Sequence, residues 1–286
     1  MLRKRGPFLF RAVVGLLLLS KAFSFQLAAS RPLRVSTPDL RSELQLKSLR
    51  SVLEDLLVGD LPHVENVELF QEKGVGQGSY GVLCEGLVNN GNDGPTKIVA
   101  KKKNKDKFSE EYQKLEEFIN SKVQTACAEY VAPYIGSATI GGEKWLCWRD
   151  VGRKNLEDFL VQGDLGALGA ALKMPGATDD EICAVILIQL LECIKALHEQ
   201  GVVHRDIKPE NILVDQESGR LRLIDFGSAA DMKATIKRGY DWSKSPCDPL
   251  YAAPELFLDE AHPFKFDLWS VGAIFLRAAF PALRRG

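Results

Sequence analysis

His204-Arg205-Asp206-Ile207-Lys208-Pro209-Glu210-Asn211 is a polar octet set between two apolar runs, Val202-Val203 and Ile212-Leu213-Val214. The runs read as short buried strands and the octet as the loop that joins them. A simple turn does not need this composition. Phosphoryl transfer does. It needs an acid to accept a hydroxyl proton, which Asp206 supplies. It needs a lysine to steady the moving phosphate, Lys208, and an amide oxygen for a metal ion, Asn211.

Downstream, Leu223-Ile224-Asp225-Phe226-Gly227 ends another strand with an acid and a glycine. Asp225 is the expected magnesium ligand, bridging to phosphates. Ala252-Ala253-Pro254-Glu255 follows. Upstream, Gly76-Gln77-Gly78-Ser79-Tyr80-Gly81 is G-x-G-x-x-G. Alone it is a weak signal, because dinucleotide-binding folds share it. Here it lies between two strand-like runs, which predicts a hairpin lid whose backbone N–H groups meet phosphates. A dinucleotide site would instead need a helix straight after the glycines and an acid about 20 residues on.

At that distance stands Ile98-Val99-Ala100-Lys101-Lys102-Lys103. A strand lysine after V-A-x is a candidate phosphate clamp. Lys102 fits that spacing, with Lys101 as the next choice. An inward lysine needs an acidic partner. A helix at about 109–127 places Tyr112, Leu115, Ile119, Val123 and Ala126 on one face. Glu116 lies at the edge of that face and is the expected partner; Glu117 points away.

The composition agrees with a soluble globular protein. The 286 residues are 45% hydrophobic and 26% charged. Residues 1–38 hold seven of the 37 basic residues and no acid, which leaves the body 30 basic residues against 38 acidic ones. An acidic body excludes a general nucleic-acid binder, which needs a basic face. The six cysteines are scattered without C-x-x-C spacing and read as free, mostly buried thiols.

Arg3-Lys4-Arg5 precede the apolar run Ala12 to Leu19, too short to span a bilayer and right for a signal sequence. Residues 22–38 are rich in Ser, Ala and Arg, as in a transit peptide. Such a signal-then-transit order resembles the presequences of algae with secondary plastids; ordinary secretion is the alternative. Leucines at 40, 44, 49, 53, 56 and 57 predict a helical linker that ends before Pro62. The expected organisation is a targeting segment at 1–38, a helical linker at 39–65 and one domain at 66–286.

The order of these motifs resembles that of eukaryotic-type protein kinases of the serine/threonine type. That resemblance implies an α+β bilobal fold, with a small antiparallel sheet lobe at about 66–150 and a helical lobe at about 151–286. The helical lobe of such proteins continues further than Gly286, so it is expected to be incomplete here. Trp145-Leu146-Cys147-Trp148-Arg149, Asp248-Pro249-Leu250-Tyr251 and Asp267-Leu268-Trp269-Ser270 narrow the similarity to the state-transition kinases of thylakoids. Those kinases phosphorylate light-harvesting and photosystem proteins.

The resemblance implies ATP with Mg2+, Mn2+ being an acceptable substitute, and a protein substrate carrying Ser or Thr. It also implies thylakoid association, here without a recognisable membrane-spanning helix. Lys102, held by Glu116, is expected on the ATP phosphates beneath Gly76, Gly78, Ser79 and Gly81. Leu83 and Ala100 lie above the adenine and Leu213 below it. Asp225 and Asn211 hold the metal. Asp206 and Lys208 serve the transfer. Thr235, Ser243 and Ser245 are candidate phosphosites in an activation segment ended by Glu255, with Arg205 as a partner for a phosphate. A kinase-like scaffold is the competing class.

Overall fold

Alternation of side chains along two adjacent strands builds the first half of the molecule. The computed structural model describes residues 61–70, 77–78, 81–89, 94–103, 107–233, 247–255, 258–259 and 261–284. Residues 1–38, expected to be a targeting segment, and most of 39–65, expected to be a helical linker, lie outside them. The strands are β1 (Val67–Leu69), β2 (Gln77–Gly78), β3 (Gly81–Asn89) and β4 (Pro95–Lys102). Helix α1 (Lys107–Ala126) follows, then β5 (Tyr134–Ile140) and β6 (Glu143–Arg149). They form one antiparallel sheet in the order β1-β3-β4-β6-β5, with β2 paired to β3.

Residues that face each other across antiparallel strands point to the same side of the sheet. Cys84 faces Ala100, and Ala100 faces Cys147. With Val88, Ile98, Ala138 and Trp145 they make one buried cluster. The opposite side carries Leu83 across from Lys101, and Glu85 across from Val99. That parity decides which residues of β4 reach the site.

Helix α1 buries Leu115, Ile119 and Val123 as its spacing predicts. It also buries a polar stripe. Gln113 donates to the Lys144 carbonyl at 3.0 Å, and Trp148 Nε1 donates to Asn120 Oδ1 at 3.1 Å. Glu117, expected to point away, is 2% exposed and paired with the Lys144 ammonium. Residues 113, 117 and 120 share one helix face, and β6 brings the partners that make their burial tolerable.

The second half is helical. It comprises α2 (Leu156–Leu160), α3 (Gly166–Ala171), α4 (Asp179–Glu199), β7 (Val202–Val203), β8 (Ile212–Asp215), β9 (Arg220–Leu223), β10 (Ala230–Asp231), α5 (Lys265–Ala279) and α6 (Pro281–Arg284). Capping boxes open α2 and α4, from Asn155 with Asp158 and from Thr178 with Glu181. Ile182, Ile186, Leu190 and Leu197 of α4 and Phe266, Val271, Ile274 and Phe275 of α5 are buried. The antiparallel pairs β7–β10 and β8–β9 support the loops of the site.

The two halves are joined through backbone hydrogen bonds, from Ala132 N to the Leu223 carbonyl and from Leu223 N to the Tyr130 carbonyl. This α+β arrangement, sheet first and helices after, is the expected one. All six cysteines are free thiols and five are buried. Burial pushes Cys147 up to about 12, and Cys127 and Cys183 up to about 11, so these thiols stay protonated. Among the described residues no helix is long and apolar enough to cross a membrane.

Candidate active site

The octet emerges from β7 with its backbone pinned. Asp267 of α5 is fully buried. It accepts the N–H of His204 on one oxygen and that of Arg205 on the other, both at 2.9 Å. His198 of α4 contacts the same carboxylate at 2.9 Å. Arg205 sits at φ 71°, a left-handed conformation that costs a non-glycine residue on the order of 1 kcal/mol. The two bonds to Asp267 hold that bend. The buried Arg205 guanidinium donates to the Ser228 carbonyl at 3.3 Å.

Asp206 follows the bend and is surrounded by donors. Its Oδ2 accepts from Asn211 Nδ2 at 2.9 Å and pairs with Lys208 Nζ at 3.1 Å. Its Oδ1 accepts the backbone N–H of Asp248 at 3.2 Å, so the segment before Tyr251 is tied to the acid. Asn211 Nδ2 also bonds the Asp206 carbonyl at 2.9 Å. With its nitrogen spent on Asp206, its amide oxygen is left for a cation.

Asp225 lies beyond β9, itself left-handed at φ 63°. Its Oδ1 accepts from Lys101 Nζ at 2.9 Å and from Gly227 N at 3.3 Å. Burial pushes this carboxyl up, but Lys101 outweighs it and holds the group down at about 2. Asp225 is therefore ionised at neutral pH. An ionised carboxylate and an amide oxygen are hard donors and suit Mg2+ or Mn2+.

Lys101, not Lys102, reaches Glu116. Lys101 Nζ lies 2.8 Å from Glu116 Oε1 while reaching Asp225 on its other side. Burial pulls its pKa down, yet the two carboxylates more than compensate and it stands above the ordinary lysine value. Lys102 points to the other side of the sheet, with Nζ 5.0 Å from the Trp145 ring centroid. The V-A-x spacing thus put the partner of Glu116 one residue off. Ile98 and Ala100 belong to the buried cluster, so 99 and 101 must face the opposite way.

The same parity corrects Ala100, which lies in that cluster; Val99 shares the side of Leu83 and Lys101. Glu116 pairs with a strand lysine as expected, although with Lys101. Gly81 lies at φ 140°, and a Cβ there would stand 2.2 Å from the Lys102 carbonyl oxygen. Only glycine fits this turn back into β3. Gly78 pairs with Gly81 across the hairpin. Leu213 is half-buried on β8, opposite Asn155.

Glu255 is exposed. Gly76, Ser79, Thr235, Ser243 and Ser245 lie outside the described residues. Asp267 and His198 carry no local sequence signal of this support, since the groups they meet lie on other elements.

A protein kinase domain model matches residues 70–282. The chain belongs to the protein kinase family. The chain is 30% identical over 248 residues to the serine/threonine-protein kinase STN7, chloroplastic, of Arabidopsis thaliana, covering 74% of this chain and 43% of that protein. It is 30% identical over 214 residues to STN8, chloroplastic, of the same plant, covering 62% of this chain and 43% of that one. The chain thus spans less than half the length of these curated relatives. Its fold matches the crystal structure of a Stt7 homolog from Micromonas algae soaked with ATP, with a TM-score of 0.65 and 22% identity, over 90% of this chain and 78% of that one.

Proposed function

We propose that this protein transfers the γ-phosphate of ATP to serine or threonine hydroxyls of proteins. The observation that carries the reading is a pair of charge clusters, with Lys101 bridging Glu116 and Asp225 while Asn211 and Lys208 hold Asp206. Lys101 is the clamp for the ATP phosphates, beneath the hairpin closed at Gly81. Leu83 and Val99 lie above the adenine and Leu213 below it. Asp206 orients the substrate hydroxyl and accepts its proton. The hydroxyl oxygen bonds the γ-phosphorus as the bond from that phosphorus to the ADP oxygen breaks. Lys208 offsets the negative charge spread over the transferring group. Magnesium on Asp225 and Asn211 would supply further positive charge against the phosphates.

The finer reading places the kinase in a plastid, acting on light-harvesting or photosystem proteins at the thylakoid. Its support is the similarity to two chloroplastic plant kinases and the acid-free, basic N-terminus. Phosphate transfer from labelled ATP, magnesium-dependent and lost in Asp225→Ala, tests the activity. Nucleotide binding without transfer would turn the reading to a kinase-like scaffold. Fusion of residues 1–38 to a fluorescent protein in an alga with secondary plastids tests the address; delivery to the secretory pathway would overturn it.

A further inference from the structure

A second lysine reaches the same buried carboxylate. Lys103 stands two residues beyond Lys101, and its side chain is only 8% exposed. Its Nζ lies 3.4 Å from Glu116 Oε2, while Oε1 takes the hydrogen bond from Lys101. Oε2 is buried and has no hydrogen-bond partner among the described residues, so the ion pair with Lys103 is what offsets its charge. The Lys103 ammonium also abuts the metal-acid turn, 3.2 Å from where a Cβ on Gly227 would stand. The Tyr112 ring lies alongside, its centroid 5.4 Å away.

Burial opposes a charged lysine here and pulls its pKa down. An apolar side chain would fill the position without that cost. The charge count explains why a lysine serves. Lys101 is shared by two carboxylates, Glu116 and Asp225. Those three groups sum to one negative charge, in the place that must receive an anionic triphosphate. Lys103 brings the sum to zero.

We propose that Lys103 is a positioning residue for nucleotide binding. It holds the second oxygen of Glu116, keeps Lys101 engaged with Asp225, and removes the negative charge that would repel the phosphates. The inference rests on Lys101 being the ATP clamp.

The test uses the full 286-residue chain. The dissociation constant for a non-hydrolysable ATP analogue with magnesium is measured alongside KM for ATP, kcat and the melting temperature. Lys103→Met is expected to raise the dissociation constant and KM about tenfold with a much smaller change in kcat, and Lys103→Arg to recover most of the loss. Glu116→Gln removes the excess negative charge. In that background Lys103→Met should add less than about twofold.

Nucleotide affinity within about twofold of the parent in Lys103→Met overturns the proposal. So does the same fold-loss in both backgrounds, which would mean a packing role alone. Should Lys103→Met fail to fold, Lys103→Gln is read by the same two criteria. Lys101→Met separates the two readings: unchanged transfer in that variant removes the clamp assignment, whatever Lys103 does.

Discussion

Loop 204–211 and strand β4 supply charged groups to one site, and they hold them by opposite means. The loop is fixed through its backbone. Asp267 takes two N–H groups and so sets the left-handed bend at Arg205 from which Asp206 projects. Strand β4 has no such anchor for Lys101. It aims the side chain by parity, one residue to the site and the next to the Trp145 side, and Glu116 and Asp225 then hold the ammonium. The loop's chemistry therefore depends on a partner more than 60 residues away in sequence. The strand's chemistry depends on register, and a slip of one residue would exchange Lys101 with Lys102.

The largest effect belongs to the strand. Lys101→Met should reduce phosphate transfer by roughly 100-fold or more at saturating ATP, since it removes a charge-assisted contact and takes from the buried Glu116 and the half-buried Asp225 the cation they share. Initial rates with labelled ATP read this directly. If Lys102→Met were the variant that lost activity instead, the parity assignment would be wrong and the V-A-x spacing right.

The loop's anchor comes next. Asp267→Asn keeps the shape but supplies one carbonyl oxygen and an NH2 where two oxygens accepted. One N–H of the bend then meets a donor. The loss should be about 3 kcal/mol of stability in urea titration, with a fall in kcat and little change in KM for ATP. A KM effect as large as the kcat effect would mean that Asp267 serves the nucleotide side as well, and the two modes of support would not be separate.

This contrast also explains what could be read from the sequence. That Asp206, Lys208 and Asn211 belong together could be read from the sequence, because each proposed role demands one residue type and the loop offers one of each. Glu116 was legible from helical spacing, although its neighbour Glu117 was not, because the Lys144 partner arrives from a strand 27 residues later. Three consecutive lysines gave the motif two registers to fit. Apolar character does not decide between them, since Val99 is as apolar as Ile98 and Ala100; the burial of Ile98 and Ala100 in one cluster assigns Lys102 to that side. Lys103 escaped notice because an exposed reading suffices for any lysine until burial is known.

Acid sharpens the comparison further. The Asp225 carboxyl is held at about 2, below the ordinary unfolded value of about 3.9. A depressed folded pKa gives stability that is fully present above the unfolded value and lost as pH falls through the folded one. Asp225 should thus contribute about 2 kcal/mol at pH 6 that disappears between about pH 4 and pH 2. Urea unfolding at pH 5 and pH 3 measures it, and Asp225→Asn should shrink the difference between the two. An unchanged difference would place the acid sensitivity elsewhere.

The smallest effect is the other half of the parity argument. Lys102 lies over Trp145 on the cluster side, its ammonium 5.0 Å from the ring centroid. Such contacts contribute about 0.5 kcal/mol when solvent reaches the cation. Lys102→Met should therefore cost about that much stability, keep most of the packing on Trp145, and leave kcat and KM for ATP within about twofold of the parent. Measured beside Trp145→Leu and the double variant, the stability loss should be non-additive, because the second change removes a contact already gone. An additive result with intact kinetics would keep Lys102 out of the site but deny it the ring; lost kinetics with an intact melting temperature would put it back among the phosphates, and strand β4 would have to be read one residue over.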